Sequence, residues 1–383
     1  MTPESHLSAL KLTAFRNYAQ LSVAFQPKHI VLTGPNGAGK TNLMEAVSFL
    51  SPGRGLRRAQ LADVAKAGTE NGFAIHATLE RDGESYAIGT GTAFGDAGQR
   101  RLRINGTNAK TADELLDLCR IIWLTPSMDG LFTGPASDRR RFLDRMVLAI
   151  DPAHGRRAAD YEKAMRQRNR LLDEPATGQT DAWLAATETQ LAALGSAIIA
   201  ARQELAGLLA GIIDARRDGD DPFPTATLAL VGTMEEAARE GMAAGEIEDR
   251  LVADYRDGRY RDRAAGRTLS GPHRAEFAIR HTEKDMEAAR CSTGEQKALL
   301  VGLVLAHASL TRTVSGMAPI MLLDEIAAHL DPARRAALFD RIDDVGGQAF
   351  MTGTDRALFD ALADRAQHFR VENGALAAEA DPT

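Results

Sequence analysis

The stretch His29–Thr41, HIVLTGPNGAGKT, decides the fold. A short, mostly apolar strand (29–33) runs straight into GPNGAGKT (34–41), which fits G-x-x-x-x-G-K-[ST], and a helix reads on from Lys40 to about Leu50. In this order the glycines let successive backbone N–H groups curl around a β-phosphate. Lys40 reaches the β- and γ-phosphates, and the Thr41 hydroxyl is a Mg2+ ligand. The helix N-terminus adds its dipole. Gly34, Pro35, Asn36, Gly37, Ala38, Gly39, Lys40 and Thr41 are therefore the candidate phosphate-binding residues, with ATP and Mg2+ as cofactors.

Such a loop needs an acidic partner, and IMLLDEIAAHLD (320–331) supplies one. A buried apolar strand does not need two acids behind it, but a Mg2+ site does. Asp324 is expected to hold the metal, directly or through water, and Glu325 to orient or deprotonate the attacking water. A third segment, RCSTGEQKALL (290–300), begins 292 − 41 = 251 positions after Thr41, counted to Ser292. Ser292-Thr-Gly-Glu295 reads as a capping box opening an apolar helix. The same geometry offers Ser292 and Gly294 as an anion site at a helix N-terminus.

Working outward, residues 8–50 read strand, loop, strand, loop, helix. Residues 71–107 read as an antiparallel meander turning at Asp82-Gly83 and Asn105-Gly106. Apolar residues at helical spacing between 137 and 217, interrupted by DEPATGQTD (173–181), read as two long helices folded into a hairpin arm. The second would be about 57 Å long. Residues 222–290 are mixed, with a strand at 225–231 and a helix at 245–263. After 291, helices at 293–310, 332–343 and 355–364 alternate with strands at 319–325 and 348–354. A hairpin then turns at Asn373-Gly374. The expected fold class is α/β, one head built from both chain ends (1–126 and 291–383), with an antiparallel β meander and an inserted, mostly α-helical arm domain (127–290); the order phosphate loop, Ser292 segment, acidic strand resembles a P-loop ABC-type ATPase head.

Composition narrows the alternatives. Net charge is −6, so no whole-surface basic field attracts nucleic acid, yet 38 of the 46 basic residues are Arg and they cluster. Arg139, Arg140 and Arg141, with Arg259 and Arg263, read as solvated helix faces or as contacts to DNA or a dimer partner. The two cysteines imply no disulfide framework and a reducing cytosol. No histidine pair has metal-ligand spacing with cysteine, so zinc is not expected. Trp123 and Trp183 read as core, and His273 as a loop histidine. The apolar run 298–310 is too short to span a bilayer and reads as a buried helix. The N-terminus shows no signal peptide.

Taken together, Phe15-Arg-Asn-Tyr18, GPNGAGKTNLMEAVSFL (34–50), LTPSMDGLFTGPASDRRRFLD (124–144), GPHR (271–274), STGEQK (292–297) and LLDEIAAHLD (322–331) resemble the RecF family, bacterial recombination mediator ATPases related to SMC and Rad50 heads. The resemblance implies a head-to-head homodimer in which ATP on the phosphate loop of one copy is closed over by the signature of another. Ser292, Gly294 and Gln296 would then act in trans, with Asp331 lining the seam and Arg16 and Asn17 near the nucleotide. It also implies binding at single-strand/double-strand DNA junctions, slow DNA-stimulated hydrolysis, and RecO and RecR as partners in loading RecA for replication restart and the SOS response. Three departures from the wider ABC pattern stand out. Thr293-Gly294-Glu295 replaces two glycines. Thr125 or Ser127 stands where a Q-loop glutamine is expected, and Thr352 or Thr354 where a switch histidine is expected. An ATPase subunit of a membrane transporter is the alternative, but such subunits keep phosphate loop and signature far closer together.

Overall fold

Alternation builds the first sheet. Strand β1 (Ser5–Phe15) buries Leu7, Leu10, Leu12 and Phe15 and turns Lys11 and Thr13 to water. It pairs antiparallel with β2 (Tyr18–Ala24). The computed structural model describes residues 3–69, 72–93, 98–175, 177–216 and 222–379. Next come β3 (His29–Thr33), α1 (Lys40–Ser48), β4 (Ala74–Arg81), β5 (Glu84–Gly91), β6 (Arg101–Ile104), β7 (Thr107–Asn108) and β8 (Ile121–Leu124). The antiparallel sheet runs β2-β1-β4-β5-β6-β7. Its tight turns fall at the expected pairs, with positive φ at Asp82 and Gly83 and at Asn105 and Gly106. Three strands precede α1 where the sequence suggests two. The extra one arises because the chain reverses at Arg16-Asn17, with Arg16 at φ 52, a turn that carries no glycine to announce it.

The arm follows as α2 (Ala136–Ile150), α3 (His154–Asp173) and α4 (Gly178–Asp214). Its first half is therefore two helices rather than one long one. Pro152 cannot continue the α2 hydrogen-bond ladder, and Asp151 beside it is extended. The 37 residues of α4 give a length of about 56 Å. Then come β9 (Ala226–Val231), α5 (Thr233–Arg239), α6 (Ala244–Asp257), α7 (Arg259–Ala265), β10 (Glu276–His281) and β11 (Met286–Glu287), so the helix expected over 245–263 breaks at Gly258. The last stretch holds α8 (Thr293–Ser315), β12 (Ile320–Leu323), α9 (Pro332–Val345), β13 (Ala349–Gly353), β14 (Ala366–Glu372) and β15 (Ala375–Ala378). Between β13 and β14 a kinked 3-10 segment, Arg356–Arg365, replaces the expected helix, and Ala363 takes φ 48 at the kink.

Two compact units result: Met1–Asp129 with Gly219–Phe223 and Leu300–Thr383, and Gly130–Asp218 with Pro224–Leu299. The division passes through α8, whereas the sequence reading set it at 126/127 and 290/291. In the first unit a second sheet runs β15-β14-β3-β13-β12-β8 and is parallel apart from edge strand β15. β3, β12 and β13 are buried along their whole length, as parallel strands between neighbours must be. The core is shared by α1 and both sheets, and Phe15, Phe49 and Phe73 pack edge to face at 5.6–6.1 Å in its centre.

In the second unit, α3 and α4 pack through Tyr161, Ala164, Leu191, Ala192, Ile198 and Ile199, with Leu251 and Tyr255 of α6 joining them. Arg168 lies fully buried among them. It donates to Glu188 (3.1 Å), Asp262 (2.7 Å), Thr268 Oγ1 (2.9 Å) and the Tyr255 carbonyl (2.6 Å). β11-β10-β9 form a small antiparallel sheet. Trp123 is buried as expected, but Trp183 is 54% exposed, beside the α4 stripe that buries Thr180, Leu184 and Thr187. By length and composition α4 and α8 would each suffice to cross a bilayer. In α8, however, residues such as Leu299, Leu300, Val301 and Leu305 are packed in the core. Cys119 and Cys291 are buried free thiols.

Candidate nucleotide-binding site

The phosphate loop joins the end of β3 to α1 in the centre of the parallel sheet. Its N-cap, Gly39, makes no side-chain capping bond, so the first-turn N–H groups of α1 rely on whatever sits in front of them. Gly39 has φ 121, and a Cβ there would lie 2.6 Å from Asn17 Nδ2 and 2.9 Å from the Tyr18 hydroxyl. The β1–β2 hairpin packs this closely because it braces the loop. Asn17 Nδ2 donates to the Ala38 carbonyl (3.0 Å), Tyr18 OH to the Gly39 carbonyl (3.0 Å), and Asn17 Oδ1 accepts from Asn42 (2.7 Å). From the other side, Gly374 N–H donates to the same Ala38 carbonyl at 3.1 Å.

Lys40 Nζ donates to the Gly34 and Pro35 carbonyls at 2.6 and 2.9 Å, which holds the ammonium over the loop. Burial lowers its pKa, and the Glu325 and Asp324 carboxylates oppose that shift. Thr41 Oγ1 donates to Asp324 Oδ1 and Oδ2 at 3.1 and 2.9 Å. A hydroxyl and a carboxylate meeting beside a phosphate loop are the hard oxygen donors that Mg2+ takes, so these residues fit the metal. Glu325 follows at φ 52, and its N–H donates to Thr352 Oγ1 at 2.9 Å. Thr352 in turn donates to Asp324 Oδ1 at 2.6 Å. Thr125 and Ser127, just after β8, bond each other at 2.9 Å.

Arg16 does not point at the loop in this arrangement. It clamps Glu45 of α1 in a two-bond fork (2.8 and 2.6 Å), and Arg57 adds a third bond to Glu45 at 2.7 Å. In the sequence Arg16 and Asn17 stand out only through the resemblance. Asn42 and Glu45 lie in the stretch 34–50 that also carries it, but nothing in the sequence marks them, with Arg57, as completing the brace.

In the second unit, Ser292 builds the expected capping box: Glu295 N–H donates to its Oγ (3.4 Å) and its own N–H to Glu295 Oε2 (3.0 Å). Lys284, in the β10–β11 turn, also pairs with Glu295, and this bond holds the exposed carboxyl down at about 2. Gly294 has open space around it. Gln296 is turned inward and donates to the Cys291 carbonyl at 2.8 Å. Asp331, in the first unit, caps α9 by accepting from Arg334 N–H at 2.9 Å.

The clustered arginines differ in what they hold. Arg139 forks onto Glu276 (2.6 and 2.9 Å) and also ties down the Leu131, Phe132 and Gly134 carbonyls. Arg259 forks onto Glu188, Arg263 bonds the Leu172 carbonyl, and Arg140 the Ala275 carbonyl. Arg141 is exposed and pairs with Asp138, one turn away, at 2.8 Å. His273 is a structural loop histidine, donating from Nε2 to the Thr268 carbonyl and accepting at Nδ1 from Tyr161 OH.

A family model for the RecF/RecN/SMC N terminal domain matches residues 6–376. The DNA replication and repair protein RecF of Rhizobium meliloti (strain 1021) is 60% identical over 369 residues, covering 96% of this chain and 97% of that protein. The protein of the same name from Brucella suis biovar 1 (strain 1330) is 62% identical over 372 residues, covering 96% and 94%. Among solved structures, the recombination mediator protein RecF-ATPrS of the RecFOR pathway superposes with a TM-score of 0.85 at 21% identity, covering 99% of each chain. An Smc head domain from Pyrococcus furiosus superposes at 0.54 with 15% identity, over 98% and 96%. At those identities the two structures speak for the fold alone, that of an ATPase head with a helical arm. The chain belongs to the RecF family, within the wider group of RecF, RecN and SMC head domains.

Proposed function

We propose that this protein is an ATP-dependent DNA-binding ATPase of recombinational repair that works as an ATP-driven homodimer. The observation that carries it is the meeting of Thr41 with Asp324 beside Lys40 and Glu325, a set of hydrolytic groups at the start of α1 and the end of β12. Gly34–Thr41 bind the phosphates, and Lys40 swings from the Gly34 and Pro35 carbonyls onto phosphate oxygens. Thr41 and Asp324 would hold Mg2+, which neutralises phosphate charge when bound. Glu325 takes the proton of the water that attacks the γ-phosphorus, and the bond to the leaving ADP breaks. Asn17 keeps the loop in shape, and Arg16 does so through Glu45.

The signature of a second copy, Ser292 and Gly294, closes over the phosphate, with Gln296 fixing the turn that presents it and Asp331 at the seam. The family membership supports DNA as the partner, at single-strand/double-strand junctions, with slow, DNA-stimulated hydrolysis as the reset. RecR and RecO are the proposed protein partners, RecA loading with replication restart and SOS induction the outcome, and the cytoplasm the location. Exposed Arg141 remains the strongest DNA candidate of the five arginines, since Arg139, Arg259 and Arg263 already hold internal partners.

Light scattering with and without ATP and Mg2+ tests the core of this reading. The parent chain is expected to double in mass with ATP, and Ser292→Arg to remain monomeric while still binding ATP. A parent that stays monomeric with ATP, or a Ser292→Arg chain that pairs normally, rules out closure in trans.

A further inference from the structure

The strand between the phosphate-loop strand and the acidic strand is β13, and it places one hydroxyl against both catalytic acids' backbone turn. Thr352 is completely buried. Its Oγ1 donates to Asp324 Oδ1 at 2.6 Å and accepts from Glu325 N–H at 2.9 Å. The assignment is forced, because an N–H can only donate and a carboxylate only accept, so the single hydroxyl proton goes to Asp324. Between these two bonds lies the Asp324–Glu325 peptide, and Glu325 stands at φ 52. A residue with a side chain keeps that left-handed conformation only where its surroundings fix it. Among the described residues, Thr352 supplies the side-chain bond to that N–H.

We infer that Thr352 is a positioning residue for hydrolysis: its hydroxyl locks the metal-binding carboxylate and the backbone of the general base into one rigid turn. The position where a switch histidine was expected thus faces back into the acidic strand. The chemistry is that of an outer partner that orients a ligand, a class whose loss costs about 10–100-fold in metal affinity or activity. Because the hydroxyl is buried and both of its bonds run to the acidic strand's end, it acts through Asp324 and Glu325. The inference therefore rests on the reading of Glu325 as the base.

The test compares steady-state ATP hydrolysis, ATP affinity and thermal unfolding of the full chain with those of Glu325→Gln, Thr352→Val, Thr352→Ala and Thr352→Ser. Glu325→Gln is expected to abolish turnover. Thr352→Val, which keeps the shape and removes the hydroxyl, is expected to lower kcat about 10–100-fold. Its KM for ATP should stay within about twofold, and Thr352→Ser should return kcat to within about threefold of the parent. Parent-like turnover in Thr352→Val, failure of serine to restore it, or a Val chain that loses ATP binding along with turnover overturns the inference. So does failure of both the Val and Ala chains to fold, which would make Thr352 a core residue only. If Glu325→Gln loses turnover while Thr352→Val turns over like the parent, this inference falls alone. If Glu325→Gln turns over like the parent, the hydrolytic assignment falls first and takes this one with it.

Discussion

Gly39 shows how little room single residues have around the phosphate loop. Its φ of 121 and the hairpin side chains 2.6–2.9 Å from where a Cβ would stand leave no space for alanine. Gly39→Ala is expected to break the Asn17 and Tyr18 bonds to the loop, destabilise the fold by about 1–3 kcal/mol and weaken ATP binding. Thermal unfolding and titration with a fluorescent ATP analogue measure the two effects. Ser292 has the opposite character. As a helix cap its loss in Ser292→Ala should cost about 1 kcal/mol, but as part of a closing signature it should raise the ATP concentration needed for pairing while monomeric ATP binding stays intact. The loop, Asp324, Glu325 and the Ser292 cap were legible in sequence because each lies in a contiguous motif. Thr352 was one of two threonines, with Thr354, standing where a histidine is expected, but its role was not legible. Its partners lie 27 and 28 positions away and one of them is a backbone N–H.

Among the elements, α4 was readable because its heptad-like apolar spacing persists for ten turns. The break between α2 and α3 was not read, although Pro152 announces it, because apolar spacing resumes on the far side with little phase change. The arginine clusters were the least readable feature. Arg139 finds its carboxylate 137 positions away and Arg259 finds Glu188 71 away, and no local pattern encodes such pairs. The arginines read as solvated helix faces or as contacts to DNA or a dimer partner thus include side chains that cross-link the arm internally. Arg168 is the extreme case, with Glu188 and Asp262 as buried partners. Arg168→Met takes from buried Asp262 its cation and from Glu188 one of its two, Arg259 being the other, so it should destabilise the arm by about 3–5 kcal/mol, measured by urea unfolding followed through far-ultraviolet circular dichroism.

For the molecule as a whole, acid should loosen the arm unit through Asp144. This residue of α2 accepts two bonds from Arg202 of α4 (both 2.8 Å) and one from His154 of α3 (2.9 Å). Burial alone would raise its pKa, but His154 and Arg202 outweigh that and hold it at about 2 against the ordinary 3.8. A carboxyl depressed in the folded state adds stability above its ordinary pKa, and that stability drains away as pH falls from about 4 towards 2. The contribution is about 2 kcal/mol, so denaturant midpoints of the parent should fall across that window and those of Asp144→Asn should change much less. One feature of the head bears on its birth rather than its working. β3, which carries the phosphate loop, lies between β13 and β14, and both are translated long after it. From Thr33 to Ala349 the ribosome adds 349 − 33 = 316 residues, roughly 15–60 s of synthesis. Through that interval an emerging chain exposes an apolar strand with both edges bare, while the arm unit, which ends at Leu299, can already fold. Nucleotide binding should thus appear only near the end of translation, and stalled nascent chains lacking β14 should be bound by chaperones and fail to retain ATP.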